Sequence, residues 1–174
     1  GFVSYDKGGK HRQVDARVRV QATANPKSDQ FVGKGAAILK KQVPFQQALL
    51  SRFHLVFLIR RPDKHELGNI ARQIVRDEKP QMKKGDVEFV NKYVKEMLKV
   101  KVEFPKKYEP NIVDFIEALR EEEKKFLVEV GPRTVVGIIR MSQSLARMQG
   151  KDKVRQQDLL DVLKLVKRTY YVRS

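Results

Sequence analysis

Cysteine is absent from the 174-residue sequence, which excludes disulfides and thiolate metal centres and fits an intracellular protein. The three histidines, His11, His54 and His65, have no metal-ligand spacing, so no metal site is expected. No apolar run approaches the roughly 20 residues of a membrane-spanning helix, and no signal-peptide pattern is present, so a membrane is not an expected partner. A phosphate-binding loop is also missing. Gly33-Lys34-Gly35 lacks the G-x-x-x-x-G-K-[ST] spacing, and no apolar strand leads into it. Nor does any apolar strand end in the paired acids that hold magnesium in nucleotide hydrolases. Ser51 has no base at a readable spacing, which leaves no serine-hydrolase triad. These absences imply that the 174 residues alone bind neither ATP nor Mg²⁺ and hydrolyse no ATP.

Acidic residues are scarce beside basic ones: 21 Asp and Glu against 37 Lys and Arg, a net charge of +16. Residues 1–62 hold 12 of the basic residues and only 3 of the acidic ones, a net of +9. Such a segment suits a polyanion, nucleic acid being the commonest. A basic, well-solvated surface is the alternative that charge alone leaves open. Hydrophobic residues make up 41%, enough for a globular domain with a core. The first residue is Gly1, and it leads straight into strand-like sequence, so the chain is expected to begin inside a longer one.

Phe2 to Tyr5 reads as a strand, and Asp6-Lys7-Gly8-Gly9 as a turn, because glycine supplies the positive φ of tight hairpins. Lys10 onward returns as a second extended segment. The hairpin presents Lys7 at or near its tip, with Lys10, His11 and Arg12 beside it. Val18 to Ala24 reads as the next strand, closed by Asn25-Pro26. An asparagine at a strand's carboxyl end can orient water or touch a γ-phosphate, or simply cap a turn. Lys27 to Pro44 reads as a long polar loop. Gln47 to Phe53 leads into Leu55–Ile59, a β-branched and aromatic run that reads as a buried strand with Arg52 at its mouth. There the guanidinium reaches a charged partner, or pairs with a nearby carboxylate.

From Pro62 the period changes to that of helices. Asp63 with Glu66 makes a capping box before Leu67, Ile70, Ala71, Ile74 and Val75, with Lys79-Pro80 ending that helix. Asp86 starts a second helix, and Pro110 suits the start of a third. Glu121 to Lys125 reads as a solvated charge run. Gly131-Pro132 precedes the longest helix, stopped by Gln149-Gly150. A last helix carries Leu159, Val162, Leu163 and Val166, then basic residues and Tyr170-Tyr171. Met97, Met141 and Met148 fall on apolar stripes as core filler.

Several of these motifs fall in a familiar order. Ala24-Asn25-Pro26, followed about two dozen residues later by Leu49-Leu50-Ser51-Arg52-Phe53, resembles the AAA+ ATPase core of the minichromosome maintenance (MCM) replicative helicases. Val3, Ser4, Lys7, Gly9, Ala16 and Arg17 fall in the frame of that family's pre-sensor 1 hairpin, departing from it at Lys10 to Gln13, where the family's second strand is more apolar. Gly131-Pro132-Arg133-Thr134, then Ile138-Ile139-Arg140, resembles the family's lid element, with Val136 where an acid is usual.

The resemblance implies an α/β class. Part of an AAA+ parallel sheet, without its P-loop strand, would fill residues 1–62, and an all-α lid of about five helices residues 63–174. It implies an ATP-driven DNA helicase built as a hexameric ring. Arg52 would be the arginine finger and Arg133 sensor 2, both acting on a neighbour's ATP, with Asn25 as sensor 1. Lys7, with Lys10 and Arg12, would face DNA. ATP and Mg²⁺ would be held only in the complete ring, and the partners would be DNA, other MCM subunits and the Walker-containing half. Two other classes stay open: a non-catalytic MCM derivative for DNA binding or ring assembly, and a chelatase-like or MoxR-like ATPase acting on protein or cofactor assembly.

Overall fold

Two glycines make the first fold decision. Gly8 and Gly9 have φ of 59° and 72°, the left-handed pair that a type I′ turn demands and whose twist matches antiparallel strands. They join β1 (Phe2–Lys7) to β2 (Lys10–Asp15), with Phe2 opposite Asp15 at the base and Lys7 opposite Lys10 at the tip. The expected hairpin is present, with Lys7 at the edge of its turn. Every residue of both strands is exposed. The computed structural model describes residues 2–16, 18–28, 30–33, 35–76, 83 and 85–170, with Tyr170 by its backbone only. Gly1, Arg17, Lys34, the Lys79-Pro80 helix stop and Tyr171 lie outside the described residues.

Helices account for most of the rest: α1 (Ala36–Gln42), α2 (Gln47–Leu50), α3 (Lys64–Val75), α4 (Asp86–Met97), α5 (Glu109–Glu121), α6 (Pro132–Met148) and α7 (Gln156–Tyr170). The five after residue 62 are the five expected. At α3 the Asp63 carboxylate accepts from Glu66 N at 2.8 Å, and the Glu66 carboxylate accepts from Asp63 N at 3.2 Å. Pro110 and Pro132 sit in the first turns of α5 and α6, where a missing N–H costs nothing. Gly150, at φ 68°, follows the end of α6.

One core joins α1, α2, α5, α6 and α7. Phe126 and Ile138 are fully buried at its centre, with Leu159, Val162 and Val166 of α7, Ile112 and Leu119 of α5, and Leu39, Val43 and Leu50 from the first third of the chain. The connection between α4 and α5 is tied across it: Gln143 Nε2 donates to Val102 O (3.0 Å) and Arg147 Nε to Val100 O (2.9 Å). Glu103 N donates to Asp152 O, and Val154 N donates back to Glu103 O. Burial pushes the Asp158 carboxyl up, but the Lys151 ammonium at 2.7 Å, Arg155 N at 2.8 Å and the two positive charges outweigh it and hold its pKa below the ordinary value.

Met148, expected as core filler, is exposed, and four further local expectations change. Val18–Ala24 and Leu55–Ile59 run without a strand ladder, and among the described residues the only sheet is the hairpin. A strand exists only through a hydrogen-bonded neighbour, and neither apolar segment has one here. Val18 and Val20 are exposed, while Leu55, Val56 and Leu58 use their side chains against the helical core. The polar loop Lys27–Pro44 contains α1, because Ala36, Leu39 and Val43 recur at helical spacing and all three are buried. The apolar stripe of α3 forms, but neither α3 nor α4 buries a residue. The charge run is anchored rather than solvated throughout, since the Glu123 carboxylate accepts from Val130 N at 2.8 Å and Phe126 follows into the core.

Candidate nucleic-acid and nucleotide-contacting residues

Strand alternation sorts the hairpin's charges. Opposed residues share a face, so Val3 with Val14, Tyr5 with Arg12, and Lys7 with Lys10 line one side. Phe2 with Asp15, Ser4 with Gln13, and Asp6 with His11 line the other. All three expected DNA-contacting cations therefore stand on one face together with an aromatic ring, and both acids stand on the opposite one. On that second face His11 Nδ1 and Asp6 Oδ1 are 2.7 Å apart. The polar second strand, from Lys10 to Gln13, is what makes this segregation possible.

Arg52 is exposed in the turn that ends α2. Its N–H donates to Leu49 O (3.0 Å), Ser51 Oγ donates to Ala48 O (3.2 Å), and Leu50 is buried. Its placement thus comes from a short helix pinned by one leucine, in place of the expected strand mouth. Arg133 is exposed in the first turn of the 17-residue α6, where the helix's unpaired N–H groups add partial positive charge. Thr134 Oγ1 accepts from Gly131 N at 3.3 Å and closes that end. Asn25 is exposed outside any helix or strand, and two residues further on Lys27 N moors the chain to α1 by donating to Gln42 O at 2.8 Å.

The fold brings two of these places together at one point. His54, two residues beyond Arg52, lies against Gly137 of α6, one turn beyond Arg133. Another cation escaped the sequence reading. Arg60 closes the extended run, and its Nε and Nη2 are buried without a hydrogen-bond partner among the described residues. Those two nitrogens form the side-on fork that takes a carboxylate or a phosphate. The signal available was the apolar run ending in Arg60-Arg61.

Residues 1–78 match the family described as the MCM P-loop domain, and residues 88–170 match the MCM AAA-lid domain. The chain belongs to the minichromosome maintenance family. Among its relatives, "DNA replication licensing factor mcm7" of Schizosaccharomyces pombe is 28% identical over 94% of this chain and 23% of its own length. "DNA replication licensing factor MCM7" of Oryza sativa subsp. indica is 29% identical over 97% and 24%. "Maternal DNA replication licensing factor mcm6" of Xenopus tropicalis is 25% identical over 96% and 21%. The chain thus spans about a quarter or less of the length of these MCM relatives. Its α/β class holds: part of an AAA+ module followed by a helical lid. Among the described residues no helix is long and apolar enough to cross a membrane.

Proposed function

We propose that this MCM chain is the finger, sensor and lid portion of an ATP-driven, ring-forming replicative DNA helicase subunit, working inside the cell with other MCM subunits. Residues 1–62 supply the DNA-facing hairpin, Asn25 as sensor 1 and Arg52 as arginine finger. Residues 63–174 supply the lid with Arg133 as sensor 2. ATP with Mg²⁺ is the substrate of the complete ring, held where Walker motifs lie beyond these 174 residues. Arg52 and Arg133 reach a neighbouring subunit's phosphates and offset the charge that develops during γ-phosphoryl transfer. A finger of this kind is worth roughly 10³–10⁵ in rate. The match to the MCM family supports this reading over a chelatase-like or MoxR-like role.

The observation that carries the DNA assignment is the tip of the hairpin. Lys7 stands directly opposite Lys10, and like charges so paired destabilise a hairpin until a polyanion lies across them. Arg12 and Tyr5 extend the same face. A cationic face with an aromatic among its charges suits a phosphate backbone and an unstacked base.

The trans role is tested by mixing full-length subunits, one carrying Arg52→Ala and the other a disabled phosphate-binding loop. Each is inactive alone in its own ring. Mixed rings recover part of the ATPase wherever an intact finger faces an intact pocket. No recovery at any ratio, with mixed rings verified, refutes the trans finger and favours the non-catalytic ring-assembly reading.

A further inference from the structure

The imidazole of His54 lies directly over Gly137, a buried position inside α6. A β-carbon built at Gly137 would stand 2.8 Å from His54 Cδ2, 3.5 Å from Cγ and 3.6 Å from Cβ. Real β-carbons essentially never come within 3.0 Å of such an atom. Rotating the ring relieves the shortest of these approaches. The contacts to Cγ and Cβ are of ordinary length, so a side chain here displaces the exposed ring from its seat on the helix. Interior glycine is also disfavoured in a helix beside alanine, so this position gives up helix preference where it gains close approach.

Its position in the chain gives the contact its meaning. His54 is two residues from Arg52, and Gly137 is four residues from Arg133, on the same face of α6. Leu50 before the turn is buried, and Leu55 and Val56 after it pack on the same core. The flanks fix where the turn lies, and the ring on the helix fixes how it is seated. We propose that His54, seated on Gly137, is a positioning residue that holds the Arg52 turn and the Arg133 end of α6 as one unit, presenting both guanidiniums to a phosphate in a fixed relation. This rests on the roles assigned to Arg52 and Arg133 above.

The test uses full-length subunits in assembled rings, with Gly137→Ala, His54→Ala, the double variant and Arg52→Ala. Gly137→Ala is expected to lower kcat for ATP about 3- to 10-fold, with KM within about twofold. Its melting temperature should be unchanged or higher, because alanine favours the helix. Without nucleotide, amide exchange at residues 52–54 should quicken. In the His54→Ala background only the ordinary 3.6 Å approach to the β-carbon of residue 54 is left of these three, so the double variant should match His54→Ala alone in both rate and exchange. An unchanged kcat in Gly137→Ala overturns the proposal. So does an equal loss whether or not His54 is present, which would place the effect in the helix. If Arg52→Ala leaves ring ATPase intact, the finger assignment falls and this inference falls with it. If Arg52→Ala abolishes activity while Gly137→Ala is silent, the positioning role alone fails.

Discussion

Removing Lys7 and Lys10 together should change how DNA affinity depends on salt, by an amount that can be worked out beforehand. On single-stranded DNA each phosphate contact contributes about 0.7 to the slope of log affinity against log salt, so three contacts by Lys7, Lys10 and Arg12 give about −2.1. Between about 50 and 200 mM salt that slope costs roughly 18-fold in affinity. With Lys7→Ala and Lys10→Ala only Arg12 remains on the face, the slope falls to about −0.7, and the same salt step costs roughly threefold. Relieving the opposed lysines should not melt the hairpin, because the Gly8-Gly9 turn and the Val3–Val14 and Tyr5–Arg12 pairs stay in place. Fluorescence anisotropy with a labelled oligonucleotide over a salt series reads the slope. Net charge is controlled by pairing Lys7→Ala with Ser4→Lys, which moves one cation to the opposite face. That variant should keep the reduced slope of Lys7→Ala. Recovery of the original slope would show that total charge governs binding, and the assignment of a face would be wrong.

The Lys151–Asp158 pair should show its contribution in acid. Its carboxyl is held below the ordinary 3.8, so its stabilisation is complete above the unfolded-state value and fades as pH drops through the lower folded one. Asp158→Asn should cost about 1–3 kcal/mol near neutrality, since Lys151 keeps some access to water. The gap between the variant's and the parent's urea midpoints should narrow as pH falls below about 4; a gap constant with pH would sink the idea. Gly150→Ala should cost roughly 1 kcal/mol because φ there is 68°, whereas Gly85→Ala, at φ −90°, should cost little; thermal melts compare the two. Hydrogen exchange on the isolated chain should be fast at residues 18–24 and 55–59 and slow in α6 and α7, and equal strong protection in a proven monomer would mean that the two segments pair.

Legibility followed local signals. Asp63 with Glu66, Pro110, Pro132, Gly150 and the Gly8-Gly9 turn act within a few residues of themselves, and each marked its element correctly. The stripe Leu159, Val162, Leu163 and Val166 was readable too, because α7 buries all four. What could not be read was which apolar face finds a partner. Leu67, Ile70 and Ile74 repeat as faithfully as the α7 stripe yet stay exposed. Leu55–Ile59 has strand composition, but pairing depends on distant backbone. Phe126 to Val128 enter the core from an aperiodic connection, where spacing carries no signal. At the candidate site the order of Lys7, Asn25, Arg52 and Arg133 was plain from motifs. The separation of hairpin faces needed the register, and the seating of His54 on Gly137 needed three dimensions.

The ties between α6 and the segment entering α5 behave as a vernier. Gln143 and Arg147 are four residues apart, a rise of about 6.0 Å along a helix. The carbonyls they hold, on Val102 and Val100, are two residues apart outside any helix, a span of about 6.6 Å for extended backbone. The two scales agree at that interval and run in opposite directions. In an extended chain consecutive carbonyls point to opposite sides, so a shift of one residue turns both acceptors away together. A single insertion or deletion between Leu98 and Val102 is therefore read as a whole-register error, whereas one in the Gly8-Gly9 turn changes only the hairpin. Tolerance of length in this fold is set by commensurate spacings, and the connection between α4 and α5 is where the chain can least change its count.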